Sequence, residues 1–373
     1  MVDNYLHAAY WLFENKKRRR MRMKTWISVL FFCSIYVFLS AYSAGQYTET
    51  FTDPSRNNRP IQTIIDYPIN LENPQEKYPY LVFGHGYTGQ YSSYAGMINS
   101  LVNMGWIVAY PNTETGIWPS TTNFARDLSF LNDAVYAENL SMMSPLYGKI
   151  DTLSIVGGYS MGGACAVVAA YQEPDFNSVI TMAAATYLYS SSTTMAQSVV
   201  MPSITFSGSA DVVAPPSNQI SIYQNLASVY KCFISFTNQG HDSFYNVSHI
   251  PVLLNPWLSF LKTGSVYYID QFEALLASYS SSTLTYQIAD NLIIILDKPD
   301  NVMIELNVND LEISWDRILE AHNYKVYASD DPYTGFTDIT DQGTLSGIER
   351  VVWTITTPTD DKRFYLVKAV RND

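Results

Sequence analysis

Residues 153–171 read Leu-Ser-Ile-Val-Gly-Gly-Tyr-Ser-Met-Gly-Gly-Ala-Cys-Ala-Val-Val-Ala-Ala-Tyr, and this stretch indicates the fold more directly than any other. Its apolar start is typical of a strand, and the small and aliphatic residues from Ala164 onward are typical of a buried helix. Between them, the pattern Gly-x-Ser-x-Gly at 158–162 predicts a sharp strand-to-helix turn that presents Ser160 as a nucleophile. The alternative is an ordinary glycine-rich turn, because short glycine patterns recur in loops.

Strand-like and helix-like segments alternate around this stretch, from about residue 57 to residue 263. The strand-like runs are 63–68, 78–83, 106–110, 153–157, 178–183, 203–207 and 232–237. The helix-like segments are 94–104, 124–138, 162–171, 217–229 and 252–262. Such alternation is typical of a parallel sheet covered by helices on both faces. We therefore predict an α/β fold with a doubly wound, mostly parallel sheet.

A catalytic serine needs a general base, and in this architecture the base follows the serine in the sequence. Three histidines do so: His241, His249 and His322. His241 lies in a loop just past the predicted strand 232–237, from which it can reach the carboxyl edge of the sheet. His249 adjoins the last predicted helix, and His322 belongs to the C-terminal region. We therefore favour His241 as the base.

An acidic residue must orient the imidazole, and Asp211 is the candidate that the order of the elements favours. It follows the predicted strand 203–207, at the sheet edge where the base is expected. The alternatives are Asp242, which adjoins the base, and Asp175, whose strand comes after it. A solvated turn aspartate is the remaining interpretation of Asp211, because aspartate is common in turns.

The loop 83–89, Phe-Gly-His-Gly-Tyr-Thr-Gly, follows an early apolar strand and predicts an oxyanion hole. Such a hole takes one backbone N–H from the residue after the nucleophile, Met161, and one from this loop, for which Tyr87 is the candidate. His85 precedes the nucleophile and lies inside the loop motif. We interpret it as a structural hydrogen-bonding residue and not as the base.

Composition and charge exclude several classes of protein. The chain has 373 residues, with 22 Lys and Arg against 34 Asp and Glu, a formal charge of −12. Nucleic acid is therefore not an expected partner, because phosphate binding depends on Lys and Arg. The five histidines and three cysteines are scattered, so we predict neither a zinc site nor a disulfide scaffold. We expect no metal, no organic cofactor, and buried free thiols at Cys165 and Cys232.

Residues 1–45 have the layout of a secretory signal peptide. A basic run at 16–24 is followed by an apolar stretch, 26–42, and by small residues up to Gly45. The alternative is an uncleaved anchor, because residues 26–44 approach the length that spans a bilayer. We therefore expect a secreted protein, with a membrane-anchored N-terminus as the alternative.

Three further segments complete the predicted organisation. Residues 46–280 form the α/β domain, and residues 281–296, which follow a serine-rich stretch, form a linker or connecting segment. From residue 297 to 373, short alternating runs are separated by Asp, Gly and Pro, and no helix is evident. This pattern predicts a small all-β sandwich of antiparallel strands.

Together, these motifs resemble those of α/β-hydrolases, in particular bacterial cutinases and polyester hydrolases of the dienelactone-hydrolase-like branch. The resemblance covers residues 57–262 and rests on Gly-Tyr-Thr at 86–88, Gly-Tyr-Ser-Met-Gly-Gly at 158–163 and Gly-Ser-Ala-Asp-Val-Val-Ala-Pro at 208–215. It implies a substrate subsite formed by Tyr87, Met161, Tyr187 and Val213. Tyr187 stands where this branch usually has tryptophan, and the branch's usual disulfide near the end of the domain is absent.

The C-terminal region resembles a fibronectin type III-like module. The resemblance rests on Trp315, on Tyr-Lys-Val-Tyr at 324–327 and on Phe-Tyr-Leu-Val-Lys-Ala-Val at 364–370. A module of this kind could act as a spacer, bind a surface or attach to another protein.

The resemblance implies a serine carboxylic-ester hydrolase acting through Ser160, His241 and Asp211. It would act on short- to medium-chain acyl esters, with polyesters such as PET as candidate polymeric substrates. About twenty residues separate the predicted strands 178–183 and 203–207, too few for a helical lid, so we expect an open cleft. We expect a monomer. The alternatives are a peptidase or thioesterase on the same fold, and a non-catalytic surface-binding protein that retains it.

Overall fold

The structure is a computed structural model that describes residues 42–370, except 71–72, 74, 245–246, 291–298, 307–309, 319–320, 322, 331–333, 348–349 and 357–363. His322, residues 1–41 of the expected signal peptide and residues 291–296 of the expected connecting segment therefore lie outside the described residues. The described chain divides into two compact units. The first comprises residues 42–196 and 242–244, and the second comprises residues 197–241 and those from 247 onward.

The sheet of the first unit is mixed, with a parallel centre. Its described strands are β1 (Ser43–Asp53), β2 (Arg59–Ile69), β3 (Tyr78–Gly84), β4 (Ile107–Pro111), β5 (Ile150–Tyr159) and β6 (Ser178–Met182). They follow the order β1-β2-β4-β3-β5-β6. The pairs β1–β2 and β2–β4 are antiparallel, whereas β4–β3, β3–β5 and β5–β6 are parallel.

Apolar sequence explains why the centre of this unit is buried from both sides. The described helices are α1 (Tyr91–Asn103), α2 (Thr121–Ala137), α3 (Met161–Gln172) and α4 (Ser192–Met195). Every residue of β3, β4 and β6 is buried, as expected for strands covered on both faces. In α3, residues 161–170 are all buried, because the helix carries small or apolar residues on every face. The turn that contains Ser160 therefore joins two buried elements.

The second unit continues the α/β pattern. Parallel strands β7 (Ser203–Gly208) and β8 (Tyr230–Phe236) are followed by β9 (Leu284–Asp290), which pairs antiparallel with β8. The remaining described α-helices are α5 (Pro216–Asn225), α6 (His241–Phe244), α7 (His249–Thr263) and α8 (Tyr267–Ser278). Of α6, His241 belongs to this unit and residues 242–244 belong to the first. In the part of the chain that the structure describes, no helix combines the length and the apolar character needed to cross a bilayer.

Two antiparallel sheets lie in the C-terminal part of the second unit. Their described strands are β10 (Met303–Leu306), β11 (Asp310–Asp316), β12 (Asn323–Ser329), β13 (Thr337–Asp338), β14 (Thr344–Ser346), β15 (Arg350–Thr356) and β16 (Phe364–Val370). The sheet orders are β10-β11-β15-β14 and β13-β12-β16. Trp315 and Trp353 are completely buried in their shared core. The mixed α/β architecture with antiparallel C-terminal sheets confirms the fold class in outline, and the fibronectin type III-like identity stays a prediction.

Two edge strands differ from the sequence-based expectation. Residues 284–290, expected to belong to the connecting segment 281–296, form β9. Residues 43–53 form β1, whose first three residues were expected to end the signal peptide. Both strands consist mostly of polar or exposed residues, because an edge strand with one covered face needs few apolar side chains. Their apolar signal is therefore too weak to identify from the sequence.

Cys165 in α3 and Cys232 in β8 are buried free thiols. Burial raises the pKa of both thiols, because the thiolate would lose its hydration. We expect both to react with iodoacetamide at least about 100-fold more slowly in the folded protein than in urea. Peptide mass spectrometry of labelled samples measures the two rates. Rapid labelling of either cysteine in native buffer would contradict the prediction.

Asp127 in α2 is completely buried and connects distant segments of the first unit. Its carboxylate lies 2.8 Å from Nη2 of Arg59 and 2.6 Å from Nη1 of Arg56, and it accepts a hydrogen bond of 2.7 Å from the Thr113 hydroxyl. Arg59 also lies 2.7 Å from Glu114. A buried carboxylate is tolerated only when it is paired in this way. The network therefore fixes the loop that follows β4 against the beginning of β2.

Replacing Asp127 by asparagine is expected to lower the free energy of unfolding by about 3 kcal/mol, because two partly buried guanidinium groups lose a shared, completely buried counter-charge. Urea unfolding followed by circular dichroism measures the change. The matched control is Asp175→Asn, which makes the same substitution in an exposed turn of the same unit. Equal losses in the two variants would show that the buried network does not stabilise the fold.

Candidate active site

Ser160 lies at a strained turn between β5 and α3. Its backbone angles are φ 55° and ψ −116°, a region that residues with a side chain rarely adopt. The end of β6 and the segment that follows it hold this turn: the Ser160 N–H donates to the Met182 carbonyl at 2.8 Å, and the Ala185 N–H donates to the Ser160 carbonyl at 2.9 Å. Only 4% of Ser160 is exposed, so the residue is buried, although the motif predicts a serine that the turn presents to a substrate.

Glycines bring the Ser160 turn into backbone contact with the loop after β3. A side chain on Gly158 would overlap the carbonyl of Gly162, and one on Gly162 would overlap the carbonyl of Gly84. The two loops that are expected to supply the oxyanion hole therefore pack directly against each other. This close approach explains the need for glycine at 158 and 162 in the sequence motif.

The candidate oxyanion donors belong to these two loops. Met161 is the first residue of α3, where backbone N–H groups have no acceptor within the helix. The Met161 side chain is completely buried. In the loop after β3, the Gly86 N–H donates to the Tyr94 hydroxyl at 2.9 Å. The Tyr87 side chain is about half exposed, and its hydroxyl donates to the Ile117 carbonyl at 2.7 Å.

In the second unit, the structure brings the predicted acid and base together. Nδ1 of His241 lies 2.7 Å from Oδ2 of Asp211. The other carboxylate oxygen, Oδ1, accepts N–H groups of Val213 at 2.9 Å and Ala214 at 2.8 Å. Asp211 is 3% exposed, so its carboxylate is buried and held by three partners. Such a contact at Nδ1 leaves Nε2 as the ring atom that can accept a proton.

The other acid and base candidates have different surroundings. His249 packs its ring against Tyr279, with centroids 5.0 Å apart, and against Phe236 at 6.4 Å. Asp242 and Asp175 are exposed. Of the three acid candidates, we therefore retain Asp211, which lies at hydrogen-bond distance from the His241 ring.

The predicted site residues are divided between the two units. The first unit holds Ser160, Met161, Tyr87 and Tyr187, and the second holds Asp211, His241 and Val213. Of the expected subsite, Tyr87, Tyr187 and Val213 are 48%, 59% and 45% exposed, so their side chains are accessible. Met161 is fully buried, so its side chain does not share the exposure of the other three subsite residues. The roles of all seven residues stay predictions.

The loop between β4 and α2 exposes two large apolar side chains that the sequence motifs do not identify. Trp118 is 90% exposed and Ile117 is 66% exposed, although both are large apolar residues. The loop is anchored on both sides of them, because Glu114 binds Arg59 and accepts the N–H of Ser120. The sequence signal was available: an Ile-Trp pair between Gly116 and Pro119 is unusual in a polar loop.

Potential metal ligands do not cluster in the described part of the chain. No group of three or more His, Cys, Asp or Glu side chains there is arranged to hold a metal ion.

Residues 40–269, more than half of the chain, match the model of a family described as PET hydrolase-like. No curated protein matches the sequence. The matched range includes both candidate loops of the first unit, the Asp211–His241 pair and helix α7.

Proposed function

Because the chain belongs to the PET hydrolase-like family, whose members are hydrolases of the cutinase and polyesterase type, we propose that it is a secreted serine carboxylic-ester hydrolase. The observation that carries the proposal is the 2.7 Å contact between Asp211 and His241, in a chain that also holds a strained Ser160 turn. The mechanism requires the Ser160 hydroxyl to reach Nε2 of His241.

In the proposed reaction, Ser160 attacks the ester carbonyl while Nε2 of His241 accepts its proton. Asp211 holds the imidazole in the required tautomer and stabilises the imidazolium. The N–H groups of Met161 and Tyr87 stabilise the tetrahedral oxyanion. His241 then protonates the leaving alcohol, and a water molecule activated by the same imidazole releases the acyl group. These steps need no metal and no organic cofactor.

A substrate panel and an active-site probe together test the proposal. A fluorophosphonate should label Ser160, as read by peptide mass spectrometry, and His241→Ala should abolish the labelling. Rates on matched ester, thioester and amide substrates separate an esterase from a thioesterase or peptidase. Absence of labelling and of ester turnover would support a non-catalytic surface-binding protein instead.

We further propose that the substrates extend from short- and medium-chain acyl esters to polymeric esters. The polymeric substrates are proposed because of an accessible apolar surface. Tyr87, Ile117 and Trp118 are exposed. The Tyr87–Ile117 hydrogen bond joins the loop motif at the end of β3 (residues 83–89, here called the oxyanion loop) to the loop between β4 and α2 (residues 112–120, here called the Trp118 loop). The connection between β6 and β7 carries only the four-residue helix α4 and the short helix Ala196–Ser198, so no long helical lid is formed there. An open site flanked by apolar side chains suits a bulky or polymeric ester.

Replacing Trp118 by alanine is expected to lower hydrolysis of a polyester film about 3- to 10-fold, because one aromatic contact contributes about 1 kcal/mol. Hydrolysis of soluble p-nitrophenyl butyrate should change by less than about two-fold, since this ester is too small to extend along the loop. Met143→Ala is the matched control, because Met143 is 93% exposed but lies in the separate loop after α2. Equal effects on film and soluble ester would contradict the prediction.

The remaining parts of the proposal concern the ends of the chain and its assembly. We propose that residues 1–45 direct secretion, and that the C-terminal antiparallel sheets form a fibronectin type III-like module that acts as a spacer or contacts a surface or another protein. We also propose that the protein acts as a monomer. Sedimentation of the purified protein and N-terminal sequencing of secreted material test these points.

A further inference from the structure

The ring of His85 lies between two backbone carbonyl groups. Nδ1 is 2.7 Å from the Gly86 oxygen, and Nε2 is 2.8 Å from the Thr113 oxygen. The residue is completely buried, and its ring packs against Phe124 with a centroid distance of 4.5 Å. Both ring nitrogens therefore face hydrogen-bond acceptors. This arrangement suits a structural hydrogen-bonding residue and not a general base.

The Gly86 carbonyl belongs to the same peptide group as the Tyr87 N–H. A planar trans peptide directs its C=O and N–H in opposite directions, so whatever holds the Gly86 oxygen also sets the direction of the Tyr87 N–H. That oxygen accepts the Gly89 N–H at 2.9 Å and faces His85 at 2.7 Å. On the preceding peptide, the Gly86 N–H is held by the Tyr94 hydroxyl.

We propose that His85 is a positioning residue, which donates from Nδ1 to the Gly86 carbonyl and thereby aims the Tyr87 N–H at the developing oxyanion. A hydrogen bond accepted at one end of a peptide also polarises the group, which strengthens the donor at its other end. The inference rests on the proposed ester hydrolysis, and it assigns a role to a residue outside the catalytic triad.

The other side of the ring is anchored to the buried charge network. The Thr113 carbonyl faces Nε2 of His85, and the Thr113 hydroxyl donates to Asp127, which Arg56 and Arg59 hold in place. A neutral imidazole with its proton on Nδ1 and an imidazolium both donate to Gly86, whereas a neutral ring with its proton on Nε2 donates only to Thr113. As an imidazolium, the ring also donates from Nε2 to the Thr113 carbonyl and so links the oxyanion loop to the Asp127 network.

His85→Phe keeps an aromatic ring against Phe124 and removes the donor. We expect kcat for p-nitrophenyl butyrate to fall about 10- to 100-fold, because a displaced oxyanion donor weakens the transition state. KM should change by less than about two-fold, since the ground-state ester does not depend on this donor. His85→Gln retains an amide donor and should recover part of the loss. An unchanged kcat in His85→Phe would overturn the inference.

If His85→Phe fails to fold, a pair of tyrosine variants tests the preceding peptide of the same loop, whose N–H the Tyr94 hydroxyl holds. Tyr94→Phe removes the hydroxyl that holds the Gly86 N–H, so kcat should fall without a matching change in KM. Tyr80→Phe removes a comparably buried hydroxyl, which donates to Asn132 at 2.9 Å, and should leave kcat unchanged. An equal fall of kcat in both variants would contradict a specific role for the oxyanion loop.

Nitrogen NMR of protein with ¹⁵N-labelled histidine gives a readout that does not depend on turnover. We expect a protonated Nδ1 for His85, assigned as the resonance that disappears in His85→Gln. A non-protonated Nδ1 would overturn the inference whatever the kinetics. Ester turnover by the wild-type chain that is lost in Ser160→Ala, together with normal kcat in His85→Phe, would refute the role of His85 and leave the proposed function intact.

Discussion

Replacing Ser160 by alanine is expected to lower the hydrolysis of p-nitrophenyl butyrate by at least about 10⁴-fold. The variant removes the oxygen that attacks the ester, and water in the remaining site is a much weaker nucleophile. The strained backbone at φ 55° is the same for serine and alanine, so we expect the fold to persist. Initial rates measure the loss, and circular dichroism during heating checks the unfolding midpoint.

Ser203→Ala is the matched control for this experiment. Ser203 is a buried serine at the start of β7, and its hydroxyl has no hydrogen-bond partner among the described residues. Its removal should leave activity within about two-fold of the wild type. Ester turnover retained by Ser160→Ala would refute a serine nucleophile at this position. The control separates that outcome from a general effect of removing a buried hydroxyl.

Asp211→Asn should lower ester hydrolysis by about 10⁴-fold with little change in the fold. The asparagine oxygen can keep the hydrogen bonds from Val213 and Ala214, which turns its NH₂ group toward His241. Nδ1 of the ring must then act as an acceptor, and the proton moves to Nε2. That tautomer cannot accept the proton of the Ser160 hydroxyl. Rates on the soluble ester measure the effect.

The neighbouring aspartate supplies the control. Asp242 directly follows His241 and is exposed, and it is one of the two alternative acids that the sequence offers beside Asp175. Asp242→Asn should change the rate by less than about two-fold, since Nδ1 of His241 contacts the Asp211 carboxylate. If Asp242→Asn caused the large loss and Asp211→Asn did not, the assignment of the acid would be reversed.

The pairing of Asp211 with His241 could be anticipated because both follow strands, and the carboxyl ends of parallel strands meet at one edge of a sheet. The contacts around His85 could not. Tyr94 and Thr113 reach the oxyanion loop from an adjacent helix and from the loop after β4, and neither belongs to a motif. Contacts of this kind depend on how side chains pack, which residue spacing does not encode.

Burial on both faces decided which strands were predictable. The strands β3 and β5 are apolar along most of their length, and a run such as Tyr-Leu-Val-Phe at 80–83 identifies them directly. In β1, exposed residues alternate with partly covered ones, β9 is mostly exposed, and only one end residue of each strand is buried. Sequence alone therefore predicts the centre of the sheet better than its edges.

The pairing of β9 with β8 limits how far the chain can be shortened from its C-terminal end. Each residue of β8 from Tyr230 to Phe236 has a partner in β9, from Asp290 to Leu284. A chain cut at residue 280 would leave the apolar strand Tyr-Lys-Cys-Phe-Ile-Ser-Phe without that cover, and an uncovered strand of this kind recruits other chains and precipitates. The smallest soluble catalytic fragment should therefore extend through residue 290.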